Sequence, residues 1–143
     1  MKNQLRTLML SLGLAAAMII PAAQAQTAGD IVADVPFAFQ AHGQSLEPGT
    51  YVIHNMGISG VMRVYRKDDP KSGTLIRVFS AVNTKNQPPS LVFARYGDTH
   101  FLRKVWTGDT LGYETPTSKS EQERAIRDAA VMASVPARGG ASK

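Results

Sequence analysis

From Ile31 onward the apolar residues of this chain recur at every second position, in short runs separated by Gly, Pro, Asn and Asp. Alternate side chains of a β-strand point to opposite faces, so this period sets one face of each run against a core and the other toward solvent. The first run places Ile31, Ala33, Val35, Phe37 and Phe39 on one face, with Asp34, Pro36 and Gln40 on the other. Pro36 has no N–H for a ladder, which predicts a sheet edge or a bulge there. Further strands are predicted from Tyr51 to about Asn55, from Val61 to Arg66 and from Thr74 to Val82. The last has apolar residues on both faces and is expected at a central position.

The punctuation agrees with this pattern. Pro48-Gly49 suits a type II turn with positive φ at Gly49, and the stretch from Lys67 to Gly73 reads as a polar turn. The strongest hairpin signal is Leu91 to Tyr96, then Gly97-Asp98, then Thr99 to Trp106. A two-residue loop led by Gly fits a type II′ turn with positive φ at Gly97. Leu111 to Tyr113 adds a short final edge strand. The expected fold is all-β: a single sandwich or partly open barrel of about seven antiparallel strands, covering residues 26–117.

Beyond Pro116 the pattern changes. Ser118 with Glu121, and Ser120 with Glu123, match capping boxes ahead of a stretch rich in helix formers, which predicts one C-terminal helix over 118–134. Its apolar residues are mostly Ala, with Ile126 as the one large branched anchor near the middle. A helix so poorly anchored is expected to be an appendage that truncation after Thr117 would spare. Residues 135–143, with Pro136 and Gly139-Gly140, are expected to form a disordered tail.

Ahead of the strands, Lys2 and Arg6 precede an apolar run from Leu8 to Ile20, Pro21, and the small-x-small triplet Ala23-Gln24-Ala25. This is the pattern of a signal peptide over 1–25, so the chain is expected to be exported, periplasmic or extracellular, with a mature start at Gln26 and no transmembrane segment after cleavage. The absence of cysteine excludes thiol catalysis, Cys-based metal sites and lipidation through a thiol. The net charge of +5 would fall to +3 on loss of Lys2 and Arg6. So mild an excess suits adhesion to an anionic envelope polymer better than binding of nucleic acid, which is not an expected partner.

Chemistry-bearing residues converge most closely at the Tyr96–Leu102 hairpin. Arg95, Asp98 and His100, with Trp106 further along the same strand, are the candidate binding residues. Asp98 and His100 could act as a proton relay or ligand pair, but no nucleophile stands at a matching spacing, and Asp is an ordinary turn residue. Trp106 could stack on a sugar ring or serve as a core residue. His42, His54 and His100 are too dispersed for a metal site, and no cofactor is expected. Arg63, Tyr65, Arg66 and Lys67 form a basic and aromatic group, read either as a docking patch or as a solvated strand face that discourages edge aggregation.

Val35-Pro36-Phe37-Ala38-Phe39, Leu46-Glu47-Pro48-Gly49-Thr50-Tyr51 and Tyr96-Gly97-Asp98-Thr99-His100-Phe101-Leu102 with Val105-Trp106 carry a VPFxF, LxPGxY, YGDxxFLxxVW pattern. In this the chain resembles a group of short, exported, uncharacterised bacterial proteins. The resemblance implies an exported β domain and transfers no site residues. The Leu-x-Pro-Gly-x-Tyr element also looks like a turn in carboxypeptidase-regulatory-like and collagen-adhesin B-type sandwiches. The functional expectation is a non-enzymatic binding or structural module of the bacterial envelope. Its rivals are a small hydrolase or lyase using Asp98 and His100, and an accessory subunit of an envelope assembly recruited through the C-terminal helix.

Overall fold

The computed structural model describes residues 29–108 and 110–139, so the signal peptide expected over 1–25 and its expected cleavage site lie outside the described residues. Within them the strands are β1 (Ile31–Val35), β2 (Phe39–Ala41), β3 (Gln44–Leu46), β4 (Gly49–Asn55), β5 (Val61–Arg66), β6 (Asp69–Arg77), β7 (Phe79–Val82), β8 (Ser90–Tyr96), β9 (Thr99–Trp106), β10 (Leu111–Glu114) and β11 (Val131–Gly139). A single helix, α1 (Lys119–Arg127), precedes β11.

The fold is all-β, and its sheet curls into a nearly closed barrel. Pairing runs from β1 through β4 and β5 to β6; β7 prolongs β6 beyond Val78 and pairs with β10, which pairs with β9. From β9 the circuit returns through β8 and β11 to β1. The β2–β3 hairpin adds to β9 beside β10, through a parallel contact of Phe39 and Gln40 with His100 and Phe101. The expected count of seven antiparallel strands therefore becomes eleven, with one parallel pairing.

Alternation places the core inside. Ile31, Ala33 and Val35 of β1, Tyr51 and Ile53 of β4, Met62 and Val64 of β5, Leu91 and Phe93 of β8 and Val135 of β11 are all buried in one cluster. Each large side chain so buried stabilises the fold by about 1.5–3 kcal/mol. One end of the barrel is plugged by aromatic rings: Phe39 meets Tyr51 at 5.0 Å and Phe93 at 5.2 Å, and Phe37 meets Phe93 at 5.1 Å, all edge to face.

Strand β9 carries a bulge that shapes the outer wall. Val92 pairs with Lys104 but Phe93 pairs with Leu102, leaving Arg103 as the extra residue. Leu102 and Val105 consequently both face the core, whereas the polar pair Arg103 and Lys104 lies between them on the outer side. Thr115 takes the disturbed carbonyls: its Oγ1 donates to Leu102 O at 2.5 Å and its N–H to Arg103 O at 2.9 Å.

Several expectations are corrected. Pro36 marks neither an edge nor an internal bulge: it ends β1, which pairs on both sides with β4 and β11. Gly49 is absent from the positive-φ residues; it begins β4, and its missing side chain leaves room for the Arg66 guanidinium, 3.1 Å from where a Cβ would sit. The 74–82 run is not covered on both faces, because Ile76 and Val78 enter the core while Leu75 and Phe79 stay exposed on the outer wall. Gly97 does adopt φ +59, and Asp98 beside it does not, as a II′ hairpin requires.

The largest correction concerns the C-terminal region. The helix ends at Arg127, and residues predicted as helix end and tail form β11, inserted between β1 and β8. In β11, Ala133, Val135 and Ala137 point inward at a period of two, while Met132, Ser134 and Pro136 point out. The Ala content favours helix locally, but two waiting strand edges outweigh that preference. Pro136 is tolerated because β11 changes partner there: residues 131–136 pair with β8 and 137–139 with β1.

Candidate functional site

Outward residues of β8, β9, β10 and β11 build a trough across the barrel wall, with Trp106 at its centre. Gly112 of β10 lies directly opposite Trp106, and a Cβ at Gly112 would fall 2.2 Å from the indole Cε3 and 2.4 Å from Cζ3. The indole thus lies flat over the glycine, and only 8 % of the residue is exposed. Lys104, two positions earlier on β9, holds its ammonium 5.6 Å from the indole centroid and 2.7 Å from the Glu114 carboxylate. This Trp–Lys–Glu group divides the trough into two compartments.

The larger compartment, about 560 Å³, is floored by Val92, Met132 and Ser134 and walled by Pro88, Pro89 and Pro136, with Lys104 and Trp106 on its far side. The smaller, about 460 Å³, is lined mainly by polar groups of Ser80, Asn83, Thr84, Lys85, Gln87 and Glu114. The loop between them is held closed by one side chain: Asn83 Nδ2 donates to Gln87 O and Gln87 N–H donates back to Asn83 Oδ1, both at 2.9 Å. The arrangement offers an apolar shelf, an aromatic edge and hydrogen-bonding side chains along a single line.

The four candidate binding residues do not form one concavity. Trp106 stands at the opposite end of β9 from the Gly97-Asp98 turn. Arg95 pairs in register with His100 but is itself exposed. His100 stacks on Phe37 with centroids 3.8 Å apart, and its buried Nδ1 has no hydrogen-bond partner among the described residues. Burial, and secondly the Arg95 charge, push the His100 pKa down, against a smaller opposing effect of Asp98. Among the described residues no hydrogen bond joins Asp98 to His100, and the large groove contains neither. The other imidazoles lie apart, His54 bonded to Asp30 at 2.5 Å and His42 in the β2–β3 turn at φ 50.

The basic and aromatic group is largely engaged by its own neighbours. Arg63 donates to Pro70 O and lies 4.9 Å from the Tyr65 ring, and Arg66 pairs with Asp68 at 3.1 Å. On the helix only Glu121 is buried. Ser118 Oγ accepts from the Glu121 N–H as a cap, but the carboxylate turns to the barrel, where it accepts from Tyr96 Oη and from Arg103 Nη1, each at 3.4 Å. Burial raises the Glu121 pKa, with Arg103 and Tyr96 opposing. The polar lining of the trough was missed from sequence because outward Lys, Ser and Gln look like any solvated strand face. A glycine opposite the single Trp is the signal that could have found it.

No family model, curated protein or solved structure matches this chain. What can be said of its class therefore rests on the fold and the trough: a small, nearly closed β-barrel with a divided groove on its outer wall.

Proposed function

We propose that the protein is an exported, non-enzymatic binding module of the bacterial envelope, and that it holds a glycan segment in the trough around Trp106. The observation that carries this reading is the joining of an apolar compartment to a polar one across the Trp106 edge and the Lys104–Glu114 pair. A pyranose ring has apolar C–H faces and a hydroxyl rim, which suit such a mixed surface. Because Trp106 already covers Gly112, the indole supplies an edge to the ligand and not an open stacking platform.

Trp106 is the single tryptophan, so its fluorescence reports directly on the trough. Titration with soluble peptidoglycan fragments is expected to shift its emission saturably. Ser134→Arg, which puts a long side chain into the groove from an exposed position, should abolish the shift without altering the thermal melt. A shift that survives Ser134→Arg, or no shift in the parent protein, refutes the reading.

A second reading, an accessory subunit recruited through α1, is favoured by Ile126, which is 86 % exposed on a helix otherwise held by Glu121. The hydrolase or lyase reading has less support, since Asp98 and His100 share no hydrogen bond.

A further inference from the structure

Exposed large apolar side chains on a small barrel are ordinarily scattered. Here four of the nine among the described residues, Met56, Ile58, Val82 and Leu111, gather at the barrel end opposite the aromatic plug. Val82 and Leu111 are direct cross-strand partners, 70 % and 52 % exposed. Ile58, 61 % exposed, lines a recess of about 320 Å³ with Ser80 and Tyr113, which lie two positions from Val82 and Leu111 on the same face. Asn55 Nδ2 donates to Tyr113 Oη at 3.2 Å and so ties the end of β4, where the loop bearing Met56 and Ile58 begins, to β10. The four side chains thus form a rim around one mouth.

Charge at this end is positive. Arg77, paired with Val61 near the mouth, and Lys85 in the β7–β8 loop are exposed and make no salt bridge among the described residues. The nearby carboxylates are engaged, Asp30 by His54 and Glu114 by Lys104. The chain also enters the barrel here, since Ile31 pairs with Ile53 at the mouth end of β4.

We propose that this rim docks on an anionic lipid surface, with Met56, Ile58, Val82 and Leu111 reaching the headgroup and acyl boundary and Arg77 and Lys85 meeting the headgroups. Few apolar side chains are involved, so neither contribution suffices alone, and attachment is reversible and salt-sensitive. The rim adjoins the smaller compartment of the trough, with which it shares Ser80, Val82 and Lys85, but it stands apart from the larger apolar compartment, and vesicle binding requires no ligand in either.

The test is co-sedimentation with phosphatidylcholine vesicles, with and without phosphatidylglycerol, of the full chain and of the chain beginning at Gln26, which retains every described element. Both are expected to bind only the anionic vesicles. Ile58→Asp with Val82→Asp should weaken binding about tenfold or more, and Arg77→Gln with Lys85→Gln several-fold, with unchanged melts because all four positions are exposed. The proposal is overturned if the chain beginning at Gln26 fails to bind, if binding ignores these substitutions, or if sedimentation velocity shows that the rim residues instead join two copies of the protein.

Discussion

Truncation after Thr117 removes α1 and β11 together and should unfold the domain. Strand β11 holds three register positions with β1 and six with β8. At about one ladder bond per position and about 1 kcal/mol net per bond, the loss is on the order of 9 kcal/mol. Exposure avoided by burying Val135 adds about 2 kcal/mol. A domain of this size is stable by about 5–15 kcal/mol in total, so the deletion removes most or all of it. It also uncovers the facing edges of β1 and β8, beside Ile31, Ala33, Leu91 and Phe93, which invites aggregation. Far-UV circular dichroism and urea titration of residues 26–117 against 26–143 provide the assay. A cooperative β-type transition in the shorter chain, with a midpoint near that of the longer one, would refute the reasoning and return α1 and β11 to an appended role.

Three further outcomes are expected. Gly112→Val should expel the indole from its place on β10, red-shifting Trp106 emission and costing about 2 kcal/mol or more through overpacking; unchanged emission would show that the close approach is not kept in solution. His100→Phe should preserve the stack on Phe37 while removing a buried ring nitrogen that has no partner, raising stability by about 1–3 kcal/mol; a lower urea midpoint would mean that the nitrogen is satisfied. Burial raises the Glu121 pKa in the folded state, so its contribution is complete below the unfolded value and is lost as pH rises through the higher folded value; Glu121→Gln should flatten that part of the stability profile, and matching slopes in parent and variant would count against it.

The β class, the Gly97 turn and the inward set Ile31, Ala33, Val35 and Phe39 were legible in the sequence because strand periodicity and two-residue hairpins are local properties. Each is decided by residues within a few positions of one another. Barrel closure was not legible, since it depends on β7 leaving the line of β6 to reach β10 and on β11 crossing back between β1 and β8. The same holds for the candidate site. Arg95, Asp98, His100 and Trp106 are close in sequence, but a strand eight residues long separates its ends, so the turn and the indole belong to different regions. The trough unites Lys104 and Trp106 with Gln87, Glu114 and Met132, residues brought together only by pairings among β8, β9, β10 and β11. Local propensity even pointed the wrong way for the Ala-rich segment, where helix preference worth tenths of a kcal/mol per residue yielded to ladder bonds with two open strand edges. The sequence by itself determined the β class and the inward face of the first strand; tertiary structure decided which strands meet, and made a strand of the Ala-rich C-terminal segment, because those choices are made by edges far apart in the chain.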